Sequence, residues 1–265
     1  MEKPILYAPW AEPRLARKPG VQPLDPAAWL EPGADTAAQM VRRHELLDTA
    51  RDVVLASLPE SVAAQDELLA AIAAHTGADA PPDPTPLGRI GRMVQEDFCI
   101  LEQAAPGEEY RLTAAILCFP SRWSLAEKIG HPLTHIHGPV PDYTDDLARR
   151  VNRLFDGVRA CAPLWRANWT IHPTDELHQP SGDWRQAEDG PLCIRVERQT
   201  FLRLPGSNAV VFGIRTHIDP LTALSPAQAS ALHDALAPLD AEEVAYRGGA
   251  ALHRASLAAL GGAGA

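Results

Sequence analysis

The densest concentration of reactive side chains is the run HPLTHIH at residues 131–137, which holds His131, His135 and His137 and continues directly into GPVP. In an extended segment His135 and His137 would share one side and Ile136 would take the other. A zinc centre needs three protein ligands and an open position, which the H-x-H pair plus His131 can supply. An iron porphyrin needs one axial imidazole whose second ring nitrogen is anchored by a carbonyl or carboxylate. Three ordinary loop histidines are the third reading, and spacing does not choose among them. No carboxylate lies between residues 131 and 141 to act as a general base, which weighs against a zinc hydrolase.

A second constellation occupies residues 194–204. Strand alternation puts Ile194, Val196, Arg198, Thr200, Leu202 and Leu204 on one face and Arg195, Glu197, Gln199 and Arg203 on the other. Arg198 therefore lies on the apolar side, where an unpaired cation costs several kcal/mol. It calls for Glu96, Asp97 or the carboxylate of a ligand. The opposite face reads as solvated surface. Arg215 falls on the face opposite Val210, Phe212, Ile214 and Thr216, where it would touch a ligand or end the strand in water. Arg166 and Asn168 share one strand face and Trp169 takes the other, the usual place for a core aromatic. Arg122, in FPSRW (119–123), sits at a strand end beside the histidine loop and is a candidate anion holder. Ser121 lacks the G-x-S-x-G elbow of a hydrolytic nucleophile, and no G-x-G-x-x-G or phosphate loop occurs.

The elements that must position these groups follow from periodicity. Residues 1–34 are proline-rich and aperiodic, an arm rather than a domain. A helix is expected over 35–58 with Met40, Val41, Leu46, Leu47, Val53 and Val54 as its apolar stripe, and a second over 61–75 stopped by Gly77. Residues 80–87 hold four prolines and look like a linker. Strands are expected at 95–101 and 110–119, the latter with Tyr110, Leu112, Ala114, Ile116 and Cys118 on one face. Ser124 and Glu127 suggest a capping box for a short helix ended by Gly130, and residues 131–141 a loop. Thr144 would cap an amphipathic helix carrying Leu147, Val151, Leu154, Phe155 and Val158. Strands follow at 166–172, 193–204 and 209–218, the last two joined by a PGSN turn. C-terminal helices close the chain, the first with Ser225 and Gln228 as its capping box.

Helices, strands, a helix, strands and helices in that order describe an α+β protein: an antiparallel sheet flanked by helices, with helical extensions at both ends. The division expected is residues 1–88 as arm and packing helices, 89–222 as core and 223–265 as C-terminal helices. The 265 residues, 46% hydrophobic, suffice for one substantial core. Thirty-four acidic against 24 basic residues give a net charge of -10, which disfavours nucleic acid and anionic membranes as partners. Cys99, Cys118, Cys161 and Cys193 form no C-x-x-C pair, so zinc ribbons and covalent haem attachment lack their signatures. Residues 1–10 show no signal-peptide pattern, and no run approaches a membrane span, so a cytoplasmic protein is expected.

Taken together, QEDFCIL (95–101), CFPSRW (118–123), KIG (128–130), IHGPVP (136–141), NW (168–169) and ERQT (197–200) resemble the haem-dependent oxidative N-demethylases, whose characterised type is bacterial dimethylamine monooxygenase. The resemblance runs in matching order from about residue 23 to 217. It implies a PAS-like haem-binding core, haem b as cofactor, dioxygen as co-substrate and a small methylated amine that loses formaldehyde. It also implies electrons from a separate NADPH-dependent flavin and iron–sulfur reductase subunit. On this resemblance His137 is the expected axial ligand, with His135 second. Arg198 and Arg122 would pair with propionates, while Arg215 and Gln199 would line the pocket. The resemblance assigns no catalytic residue. A non-enzymatic haem sensor on the same PAS-like scaffold is the other reading, beside the zinc hydrolase.

Overall fold

The structure, a computed structural model, describes residues 7–16, 20–31, 33, 35–138, 145–181 and 191–261. In chain order α1 (Pro13–Ala16) and β1 (Gln22–Pro23) belong to the N-terminal arm, followed by α2 (Thr36–Thr49), α3 (Arg51–Val54), β2 (Leu55–Ser57), α4 (Val62–Thr76) and α5 (Pro86–Met93). Then come β3 (Asp97–Glu102), β4 (Arg111–Ile116), α6 (Leu125–Lys128), α7 (Leu133–His137), α8 (Asp145–Gly157) and β5 (Leu164–His172). β6 (Cys193–Arg203), β7 (Val210–Pro220), α9 (Pro226–Leu236), α10 (Ala241–Tyr246) and α11 (Gly249–Gly261) complete the chain. The strands form one seven-stranded sheet in the order β1-β5-β6-β7-β3-β4-β2, every neighbouring pair antiparallel. The protein is α+β, as its sequence pattern requires.

The β6–β7 hairpin is the spine of the sheet, with eleven paired positions from Cys193↔Pro220 to Arg203↔Val210. Its PGSN turn closes through Leu204 N–H to the Ala209 carbonyl at 2.9 Å, with Asn208 in the left-handed region at φ 62°. The Glu67 carboxylate on α4 accepts the Gly206 and Ser207 N–H groups at 2.6 and 2.7 Å, which pins the hairpin tip to the helical layer.

The sheet buries both faces. On one face Phe98, Ile100, Ala114, Ile116 and Val211 pack with Leu46 and Leu47 of α2, Leu68 and Ile72 of α4, Leu87 and Ile90 of α5, and Leu24 and Trp29 of the arm. Further along this face Ile171, Ile194 and Val196 pack with Trp10, Leu232 and Leu236 of α9 and Leu260 of α11. The second face carries Cys99, Leu101, Leu112, Phe201, Val210 and Ile214 beneath Leu125 of α6, Leu133 of α7 and Phe155 of α8. The helical N-terminal part and both extensions therefore crowd the first face, while α6–α8 lie over the second and Tyr246 of α10 reaches Arg122 at its margin.

Several sequence expectations are corrected. The helix expected over 35–58 ends at Thr49, because Ala50 leaves helical geometry at φ -138° and ψ 36°. The chain makes one more turn and pairs as β2 with the edge of β4, an attraction of the sheet that local periodicity does not register. Its buried face is Gln39, Arg43, Leu46 and Leu47, while Val41 and Val53 are exposed. The linker at 80–87 ends in α5: Thr85 caps Gly88 N–H at 3.1 Å, and Pro86 takes the first helical position, where its missing N–H costs nothing. Strand 110–119 does not keep one face. The register passes from Ile100↔Ala114 to Leu101↔Leu112, a bulge that leaves Thr113 as the extra residue. Tyr110 and Leu112 accordingly face one core while Ala114, Ile116 and Cys118 face the other.

Ser124 precedes α6 but makes no capping bond, since a single turn offers little to cap. Thr144 and Pro141 lie outside the described residues. Other signals are borne out: Gly77 stops α4 at φ 66°, and Ser225 with Gln228 forms the reciprocal capping box of α9. All four cysteines are unpaired, with Cys161 exposed and the other three buried. Among the described residues no helix is long and apolar enough to cross a membrane.

Candidate functional site: a cation-rich cleft on one sheet face

The histidine run is not an extended loop. Residues Leu133–His137 form α7, so His135 and His137 diverge by about 200° around the helix instead of aligning. His135 stacks on His131, ring centroids 4.0 Å apart, and both are exposed. His137 turns inward. Its Nδ1 lies 2.9 Å from the Leu133 carbonyl one helical turn back, which makes Nδ1 the protonated nitrogen and puts the lone pair of the neutral ring on Nε2. Burial pulls the imidazole below its ordinary pKa, and the nearby charges of Arg166 and Lys128 add to that, so the ring is neutral at pH 7. Among the described residues no three His, Cys, Asp or Glu side chains are grouped to hold a metal ion, which removes the basis for a zinc site on His131, His135 and His137.

Beneath α7, strand register assembles the second face of the sheet. Arg166↔Gln199, Asn168↔Glu197 and Thr170↔Arg195 stand opposite one another across β5 and β6, and Glu197↔Thr216 and Gln199↔Ile214 across β6 and β7. This face was expected to be solvated, yet Arg195 and Gln199 are buried. A hydrogen-bonded row runs across it. Arg166 Nε donates to Gln199 Oε1 at 2.7 Å, Gln199 Nε2 to Glu197 Oε2 at 3.0 Å, and Arg195 Nε to Glu197 Oε1 at 3.1 Å. Arg195 also donates to the carbonyls of Phe119 at 2.5 Å and Leu177 at 3.2 Å, tying the row to the end of β4. Arg122, at φ 60°, donates to the Tyr246 carbonyl and stacks on its ring at 5.3 Å. Arg247 lies 4.8 Å over Trp169.

Two observations make this face a cleft. Phe212 and Glu197 lie in the middle of central strands but keep accessible surface, 15% for the Glu197 side chain. Arg122 and Arg166 are only partly accessible, and burial pulls each guanidinium below its ordinary pKa. Such groups are shielded from solvent without being sealed from it, which is the sense in which this face is a cleft. One end is apolar, with Trp123, Ile129, Ile136, Leu164 and Phe212 half-buried against the core beneath. The other end gathers Arg122, Arg166 and Arg195 around Glu197, whose carboxylate acts on the charge of the first two and pairs with the third.

The remaining candidates lie elsewhere. Arg198 and Arg215 are on the opposite face, fully engaged by the arm. Arg198 donates to the carbonyls of Ala28 and Trp29 at 2.5 and 3.1 Å. Its carboxylate is Glu31 at 3.7 Å, not Glu96 or Asp97. Asp97 is taken by Arg43 at 2.5 Å and by the N–H groups of Cys118 and Phe119. Arg215, wholly buried rather than ending in water, pairs with Asp35 at 2.8 Å and donates to Gln39 at 2.6 Å. The structure thus brings His137, Gln199 and Arg122 to one face and leaves Arg198, Arg215 and His135 away from it. Arg166, Arg195 and Glu197 join the cleft without having been singled out, while Arg247 stacks on Trp169 of the opposite face. Alternation alone had already put Arg166 on one strand face and Arg195 and Glu197 on another; only the strand pairing makes those two faces one.

The fold and this cleft define a class: an α+β protein with an inward imidazole above a sheet face apolar at one end and cationic at the other. Residues 75–257 match the family described as haem-dependent oxidative N-demethylase, alpha subunit-like. The chain belongs to that family.

Proposed function

We propose that the chain is the haem-binding subunit of an oxidative N-demethylase, with haem b in the cleft between α7 and the sheet. The observation that carries this reading is His137: a neutral, inward imidazole whose Nδ1 is held by a carbonyl, as an axial ligand requires, in a chain of a haem-dependent family. The donor set fits the group. An amphipathic macrocycle with two acid groups suits a pocket that is aromatic and aliphatic at one end and rich in guanidinium at the other.

In this reading His137 would hold the iron through Nε2, Arg122 would meet an acid group of the porphyrin and Gln199 would line the site. Arg198 and Arg215 serve instead to fasten the arm across the opposite face. The sheet with its covering helices is PAS-like, the protein is cytoplasmic, and the substrate is a small methylated amine. Bound haem would supply the activation of dioxygen, the N-methyl carbon leaving as formaldehyde, with electrons from an NADPH-dependent flavin and iron–sulfur reductase subunit. The protein's own contribution is orientation, exclusion of water by Trp123, Ile129 and Ile136, and a cationic field at the polar end.

Purified protein titrated with hemin should develop a Soret band, and His137→Ala should abolish or shift it. Colourless protein after titration would end the haem reading. An unchanged spectrum in His137→Ala would move the ligand to another side chain. Formaldehyde release from a methylated amine, with a reductase supplied, separates an enzyme from a haem sensor.

A further inference from the structure

Four arginines buried around the sheet each have a carboxylate within 4 Å: Arg43 with Asp97, Arg195 with Glu197, Arg198 with Glu31 and Arg215 with Asp35. Arg166 differs. Among the described residues its one hydrogen bond is the 2.7 Å contact from Nε to Gln199, and no carboxylate lies within 4 Å of it. Gln199 is itself fixed by Glu197, and Glu197 by Arg195, so Arg166 stands at the end of a rigid row. Its two terminal nitrogens are left for a partner, in a half-enclosed position close enough to His137 for the guanidinium charge to help hold the imidazole below its ordinary pKa. A guanidinium held by Nε with its Nη pair open presents the fork that carboxylates take bidentately.

We propose that Arg166 is a carboxylate-binding residue of the cleft, positioned by the Gln199–Glu197–Arg195 row. The inference deepens the haem reading, because the carboxylate belongs either to the porphyrin or to a substrate that carries its own acid group, such as an N-methylated amino acid. A charge-assisted fork of this kind is worth roughly tenfold or more in affinity. The test compares wild type and Arg166→Gln against three probes: hemin, hemin with both acid groups esterified, and N-methylglycine.

Hemin binding weakened about tenfold with the diester unaffected would assign the fork to a porphyrin acid group. Unchanged hemin binding, with loss of the spectral response to N-methylglycine, would assign it to a substrate carboxylate. Equal weakening of hemin and diester would reveal a structural role and overturn the proposal, as would no change with any probe. Should wild type take up no hemin, the haem reading fails separately. Calorimetry with N-methylglycine then decides: binding lost in Arg166→Gln upholds the site, and absent or unchanged binding overturns it. If Arg166→Gln does not fold, Arg166→Lys, which keeps the charge but loses the fork, is judged by the same comparisons.

Discussion

At the scale of single residues the protein spends its buried polar groups in two different ways. His137 is held by the Leu133 carbonyl and Arg166 by Gln199, both facing a cleft, whereas His172 is sealed at the far end of β5. Its Nε2 lies 2.9 Å from Thr170 Oγ1 and 3.3 Å from Ser121 Oγ. Burial, reinforced by the charges of Arg195 and Arg122, pushes the imidazole down to about 2. The folded state therefore keeps His172 neutral throughout the range in which the unfolded chain takes up a proton, from its ordinary value of 6.5 downward. Stability linked to this group is fully present above 6.5 and is lost as pH falls, by at most about 1.4 kcal/mol per pH unit. His172→Gln, which cannot protonate, should be less stable than wild type at pH 7.5, with the gap narrowing at pH 5.5. Urea unfolding at the two pH values reads this, and a constant gap would mean that His172 protonates within the fold.

At the scale of elements, what was legible depended on whether the signal was local. The turn chemistry of PGSN, the Ser225–Gln228 box and the left-handed Gly77 all reside in consecutive residues and act where they sit. The short helix α7 was not legible, because Pro132 and Gly138 bracket five residues whose helicity depends on Leu133 seating in the core. The bulge at Thr113 was equally hidden, being a property of two strands rather than one. The site suffered in the same manner. His137 stood out by residue type, but the row Arg166–Gln199–Glu197–Arg195 exists only through the β5–β6 register. The adjoining β6–β7 register is tight at Gly213 of β7, where a Cβ would come within 2.6 Å of Thr200 Oγ1 and 3.1 Å of the Phe98 ring. Thr200 and Phe98 are both buried, so neither can yield cheaply. Gly213→Ala should cost about 1–3 kcal/mol and loosen β6 against β7. Thermal denaturation measures the loss, and hydrogen exchange should show weakened protection concentrated in these two strands.

At the scale of the whole molecule, the arm binds distant parts of the fold to one another. β1 covers the outer edge of β5, Trp29 enters the core beneath the helices, and Trp10 Nε1 donates to the Gln228 carbonyl of α9 at 2.9 Å. Glu31 is the fastening. Its carboxylate accepts Tyr7 O–H at 2.9 Å and lies 3.6 Å from His217 Nε2 and 3.7 Å from Arg198 Nε. Burial would raise its pKa, but the His217 and Tyr7 contacts outweigh that and hold it below the ordinary carboxylate value, so it is charged at neutral pH. Removing residues 1–31 would strand Arg198 without its carboxylate and carbonyls, uncover Glu96 and Arg215, and open a sheet edge that invites other chains. Loss of one partner of a buried pair costs about 3–5 kcal/mol, and Trp29 adds a comparable cavity term. Against a total stability of about 5–15 kcal/mol, the truncated chain should therefore be unfolded or aggregated rather than merely weakened. Glu31→Gln, which keeps the arm but neutralises its fastening, should fold with a lower melting temperature. A truncated chain that melts like wild type would show the arm to be an ornament on a core already complete without it.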